Sequence, residues 1–178
     1  GSQVLSLTVG GPDSQLVVAV GTEGLEALDL SSSMDTPRSL GLSHRRGDTI
    51  VNTIPVQDGG ALTLSQAGIL QTWGPGTSTT SLTAGPRLAL EVGAVTSFVT
   101  VPVKGPGALI AVGSRDGTLR LVATSSSTSG PQLVGRLRLS TTAAVARIAA
   151  SPTGHADHGS VVLSSSPAGG GCRFGCGF

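Results

Sequence analysis

Apolar residues run along this chain in short stretches, and glycine or proline interrupts them every few positions. Stretches of about 5–8 residues rich in Val, Leu, Ile and Thr, bounded by turn formers, read as β-strands. Apolar spacing of the helical kind is nearly absent. Strand candidates occur at Val4–Val9, Ile50–Val56, Val95–Val103 and Val145–Ala150, the last leading into Ser160–Ser164. The first three each lead into a hairpin pattern, and the hairpins align with one another. They are Gln15–Asp29, Gly60–Trp73 and Ala108–Val122, each an apolar strand, a tight polar turn ending in glycine, and a second strand. Gly24, Gly68 and Gly117 close these turns, 44 and 49 residues apart. Glycine suits that place because it adopts positive φ without strain.

Outer-strand candidates fill the intervals: Arg38–Leu42, then Ser81–Thr83 or Leu88–Leu90, then Leu133–Leu139. The unit is therefore strand, hairpin, strand, with a period just above 40. Four strands in each such period is the arithmetic of a propeller blade. The expected fold is all-β, with approximate units 1–46, 47–91, 92–142 and 143–178.

The third unit carries a motif. Gly113-Ser114-Arg115-Asp116-Gly117-Thr118-Leu119-Arg120-Leu121 resembles the Gly-Ser-x-Asp-Gly-Thr-hydrophobic-Arg-hydrophobic segment of the WD-repeat β-propeller family. Trp73, five residues after Gly68, falls where that family carries its blade tryptophan. The resemblance implies a propeller of WD40-like four-stranded blades, about 3.5–4 of them, as a partial or split ring. It also implies that Asp116 accepts hydrogen bonds in its turn, with Ser114 and Gly117 as structural turn residues beside it. Val122 stands where the family has Trp, Ala67 takes the place of the turn Asp, and no Gly-His dipeptide opens a unit. The period spans the whole chain, whereas the motif is confined to the third unit.

Composition narrows the function. Eleven Lys+Arg against ten Asp+Glu leave a net charge of +1 among 178 residues. That balance argues against nucleic-acid binding, which needs a basic footprint. Four aromatics (Trp73, Phe98, Phe174, Phe178) are too few for a base-stacking platform. Lys104 and Asn52 are single, and Tyr is absent; this reads as codon bias of a GC-rich gene. No apolar run approaches the roughly 20 residues a membrane helix needs, and no signal peptide is visible. The expectation is an intracellular, cytoplasmic protein, with a ciliary or other organellar assembly as a further setting.

Candidate chemistry is sparse. His155, Asp157 and His158 form the densest group of metal-ligand types. They lie in a Pro/Gly-bounded stretch that also reads as a solvated turn between strands. Cys172 and Cys176, with Phe174 between them, alternate as the buried face of a strand would. No Gly-x-Ser-x-Gly elbow or phosphate-binding loop occurs, so no catalytic residue, cofactor or metal is expected. His44, Arg45 and Arg46 form the local basic cluster, which the resemblance puts on a partner-binding face. Arg115 and Arg120 are expected to pair with local acids or to extend from the blade edge. The Ser/Thr/Gly-rich segments 31–35, 77–82 and 125–130 read as exposed connectors, with a phosphorylated docking loop as the alternative.

The leading expectation is a non-catalytic scaffold that binds other protein subunits, one of which completes the ring. The alternatives are a propeller-type enzyme or carbohydrate-binding module, and an RNA-associated propeller subunit.

Overall fold

The computed structural model describes residues 4–10, 16–21, 24–29, 38–43, 49–56, 60–75, 82–101, 107–126, 128–151, 160–165 and 174–176. All regular structure among them is β-strand. A first compact unit comprises Gly1–Ala89 with Ser125–Pro131, and a second comprises Leu90–Thr124 with Gln132–Phe178.

The first unit holds two antiparallel four-stranded sheets. One is β1 (Val4–Gly10), β2 (Leu16–Gly21), β3 (Gly24–Asp29) and β4 (Arg38–Ser43), hydrogen-bonded in chain order. The other is β5 (Ile50–Pro55), β6 (Ala61–Ser65), β7 (Ile69–Pro75) and β8 (Leu82–Ala89). Strand β1 lies beside β5. Every residue of β6 is buried. Leu62 and Leu64 share one face, with Ala61, Thr63 and Ser65 on the other; Thr63 and Ser65 are held in the interior by the hydrogen bonds of their hydroxyls. Burying a leucine such as Leu62 fully stabilises the fold by about 1.5–3 kcal/mol.

The second unit repeats the plan. Strands β9 (Val95–Val101), β10 (Ala108–Ser114), β11 (Thr118–Thr124) and β12 (Gln132–Arg138) form a four-stranded sheet. Strands β13 (Val145–Ser151), β14 (Ser160–Ser165) and β15 (Phe174–Cys176) form a three-stranded one. Cross-strand partners put Val99, Ala111 and Leu121 on one face, together with Val101, Leu109 and Leu119. Ile148 and Ala150 of β13, with Leu139, complete that apolar cluster. Val145 is fully buried, and its side chain occupies the space that a Cβ on Gly113 would fill.

Register irregularities recur from sheet to sheet. The first strand of each slips by one residue near its start: between Val4 and Ser6, Ile50 and Asn52, Val95 and Ser97, and Val145 and Arg147. The third and fourth strands of each four-stranded sheet also slip, opposite Leu28, Trp73 and Val122. Bulges of this kind increase local strand twist. Their recurrence at matching places is structural evidence of the repeat.

Ser81–Thr83 and Leu88–Leu90 were alternative outer strands on the sequence pattern. A single strand, β8, runs through both regions and through Gly85 and Pro86. Proline has no N–H for a ladder; here the pairing slips between Gln71 and Trp73. Thr72 Oγ1 donates to the Pro86 carbonyl at 3.0 Å, and Gln71 Nε2 donates to the Gly85 carbonyl. Side chains thus bond the backbone where the ladder is interrupted.

Candidate functional site: the polar turn of the third sheet

Strands β10 and β11 meet in a three-residue turn, Arg115-Asp116-Gly117. The Gly117 N–H donates to the Ser114 carbonyl at 3.1 Å, and Gly117 has φ of 76°. This is a tight turn closed by a residue in the left-handed region, the hairpin form in which glycine relieves Cβ strain. A Cβ at Gly117 would also lie 2.4 Å from the Ser140 carbonyl oxygen and 2.6 Å from that of Ala143.

The turn gathers Ser114, Asp116, Thr118 and Arg120 into one network. Asp116 Oδ1 accepts from the Thr118 N–H at 3.1 Å, from Thr118 Oγ1 at 2.6 Å, and from Ser114 Oγ. Its Oδ2 faces Arg120 Nη2 at 3.4 Å. Arg120 Nη1 donates to Ser114 Oγ at 3.0 Å and to Thr118 Oγ1. Nη2 also donates to the Glu91 carbonyl at 3.3 Å. Alternation explains the meeting: Ser114 ends one strand, while Thr118 and Arg120 sit two apart on one face of the next.

Electrostatics follow from this geometry. Arg120 is 2% exposed, so its charge requires a partner close by. Desolvation pushes the Asp116 carboxyl up, but hydrogen bonds from Ser114, from the Thr118 side chain and backbone, and from Arg120 outweigh it. The net effect holds Asp116 well below the usual carboxylate range. Such a carboxylate stays ionised at neutral pH and is a poor proton acceptor. The network's donors and acceptors are turned on one another, and Ser114 is fully buried. Its physical effect is to lock the hairpin turn and to tie it to residues 91–94, since the Arg115 N–H also donates to the Ala94 carbonyl at 2.9 Å.

The second sheet solves the same problem with other residues. Gly68, at φ 79°, closes the turn, and its N–H donates to the Ser65 carbonyl at 3.0 Å. Ala67 stands where Asp116 does, and Ser65 Oγ takes over by accepting the Ile69 N–H at 3.1 Å. The Gln66 N–H donates to the Thr49 carbonyl at 2.8 Å, the counterpart of the Arg115–Ala94 bond. Trp73 is buried, and its Nε1 donates to Thr63 Oγ1 at 2.9 Å.

Other expected residues have different standing. Gly24 opens β3, opposite Gly21. His44, Arg45, Arg46, His155, Asp157, His158 and Cys172 lie outside the described residues. Phe174 and Cys176 alternate along β15, opposite Leu163 and Val161. Among the described residues, no three His, Cys, Asp or Glu side chains come together as a metal group would, and no helix is long and apolar enough to cross a membrane. The sequence reading missed Thr63, Glu91 and Ser140. Ser140 could have been found: a serine before Thr-Thr-Ala suits a local turn, and its Oγ accepts from the N–H groups of Thr142 and Ala143 at 3.1 and 2.9 Å.

No protein family and no curated protein matches the chain by sequence. Solved structures do match. Sqt1 of Saccharomyces cerevisiae superposes with a TM-score of 0.71 at 14% identity, over 92% of this chain and 43% of that one. Raptor of Chaetomium thermophilum gives 0.62 at 15% identity, over 93% and 15%. Apo AztD from Citrobacter koseri gives 0.56 at 13% identity, over 91% and 41%. All three are WD40 propeller proteins. The chain spans less than half the length of each of these structures.

Proposed function

Because the chain has the fold of a WD-repeat-type β-propeller, we propose that it is a non-catalytic protein-interaction module, a propeller segment that works within a larger protein assembly. The observation that supports this most is the closed state of the Ser114–Asp116–Thr118–Arg120 network. Its polar groups serve the turn, with Arg120 2% exposed and Ser114 fully buried. Function then belongs to exposed strand edges and loops carried by a rigid framework. Its partners are other protein subunits, one of them completing the ring, and its setting is cytoplasmic or within a ciliary or other organellar assembly. The His44, Arg45, Arg46 cluster is one contact surface of this reading.

Gentle isolation of the chain from its native cells, followed by native mass spectrometry, tests the proposal. A complex of fixed stoichiometry with other protein chains is expected. Recovery of the chain alone, with salt-dependent RNA binding or turnover of a small molecule, would overturn it.

A further inference from the structure

Three of the four large apolar side chains most exposed among the described residues lie on one strand, β12: Leu133 at 46%, Val134 at 57% and Leu137 at 43%. This strand ends its sheet, bonded on one side to β11. Its other edge presents backbone N–H and C=O groups on which a further strand could pair.

Cross-strand pairs assign the faces of β12. Leu133, Arg136 and Arg138 lie opposite Val122, Arg120 and Thr118, whereas Gly135 and Leu137 lie opposite Leu121 and Leu119. Leu119 and Leu121 belong to the apolar cluster of the second unit, so Leu137 carries that face out to the edge. Arg136 and Arg138 stand exposed on the opposite face. Neither has an acidic partner among the described residues, where Arg120 with Asp116 is the ion pair found.

Charge selects the occupant. The segment Gln132–Arg138 holds two arginines and no acid. Two copies pairing edge to edge bring positive charge against positive charge and gain no opposite-charge pair in any register, which disfavours a second copy of this chain. A strand with acidic side chains on one face and apolar ones on the other complements Arg136 and Arg138 on one side of β12 and Leu137 on the other.

We propose that β12 binds an extended partner segment of alternating acidic and apolar residues, which joins the sheet as an added strand. Main-chain bonds hold the segment, the arginines select its acidic face, and Leu137 meets its apolar face. The proposal rests on the interaction-module reading and gives that reading a surface and a partner chemistry.

The test uses the full chain and a fluorescent peptide of about eight residues, a usual strand length, alternating Glu and Val. Fluorescence anisotropy is expected to show saturable binding. The variant Arg136→Glu/Arg138→Glu should weaken it by about tenfold or more, since two attractive pairs become repulsive. A Lys–Val peptide should show the reverse preference. N-methylation of alternate peptide amides along one edge should abolish binding at unchanged charge, a result that charge attraction alone does not give. No binding of the Glu–Val peptide would overturn the proposal. So would equal binding by the variant, indifference to N-methylation, or a preference of the unaltered chain for the Lys–Val peptide or for a single-stranded RNA of similar length. If the unaltered chain forms its native complex but does not bind the Glu–Val peptide, this surface is wrong and the module reading survives; if the unaltered chain forms no complex, the module reading itself fails.

Discussion

Arg120, buried to 2% exposure, reaches back four residues to Asp116, with Nη2 3.4 Å from Oδ2. The carboxylate is 39% exposed, so the pair is anchored from the inside outward. Removing Asp116 strands a buried cation, whereas removing both charges does not. Asp116→Ala should therefore destabilise by about 1–3 kcal/mol, and Arg120→Met added to it should recover part of the loss. Urea unfolding of the two variants checks this. An additive or worse double variant would show that the guanidinium is not held by this carboxylate.

The same carboxylate sets a dependence on pH, because its desolvation is outweighed by the bonds it accepts from Ser114, then Thr118, and last Arg120. The folded-state pKa of Asp116 is lowered from its ordinary 3.8. Its stabilising contribution is present above that ordinary value and is lost as pH falls through the lower folded value. The gap in melting temperature between the unaltered chain and Asp116→Asn should be constant near neutrality and should narrow below about pH 4. A gap that widens on acidification would mean the shift has the opposite sign.

Glu91 holds φ of 52°, a left-handed conformation that favours glycine. Arg120 takes the Glu91 backbone carbonyl and not its carboxylate, so the contact survives a change of side chain. Glu91→Gly should stabilise by about 0.5–1 kcal/mol, and Glu91→Val should destabilise. Thermal melts of both variants decide it.

Two glycines make a contrast. A Cβ at Gly117 meets backbone carbonyl oxygens at 2.4 and 2.6 Å, while one at Gly93 meets nothing within 4 Å. Gly117→Ala should cost about 2 kcal/mol or more, and Gly93→Ala should stay within about 0.5 kcal/mol of neutral. Equal effects in chemical denaturation would contradict the packing described for the turn.

Much of this fold is legible in the residue pattern, and the reasons are local. A bounded apolar run followed by a glycine turn needs no tertiary information, so β10 and β11 appear in the sequence close to their observed limits. The motif from Gly113 to Leu121 likewise points to Asp116 as an acceptor. The continuity of β8 is not legible, because Gly85-Pro86 normally ends a strand; the bonds from Gln71 and Thr72 that bridge it come from another strand. Burial of Arg120 is hidden for the same reason, since its network includes a carbonyl 29 positions away in the chain. Glu91 carries no local sign of its positive φ. The exposure of Leu133, Val134 and Leu137 is equally silent, because leucine and valine occur in buried β10 and in exposed β12 alike.

Hydrogen exchange on the chain alone and in its isolated native complex tests the central claim most directly. The account predicts unchanged protection across Ser114–Arg120, which is internally bonded in both states, and new protection at exposed edge and loop positions, Gln132–Arg138 among them. New protection confined to Ser114–Arg120, or none anywhere in the chain, would contradict it.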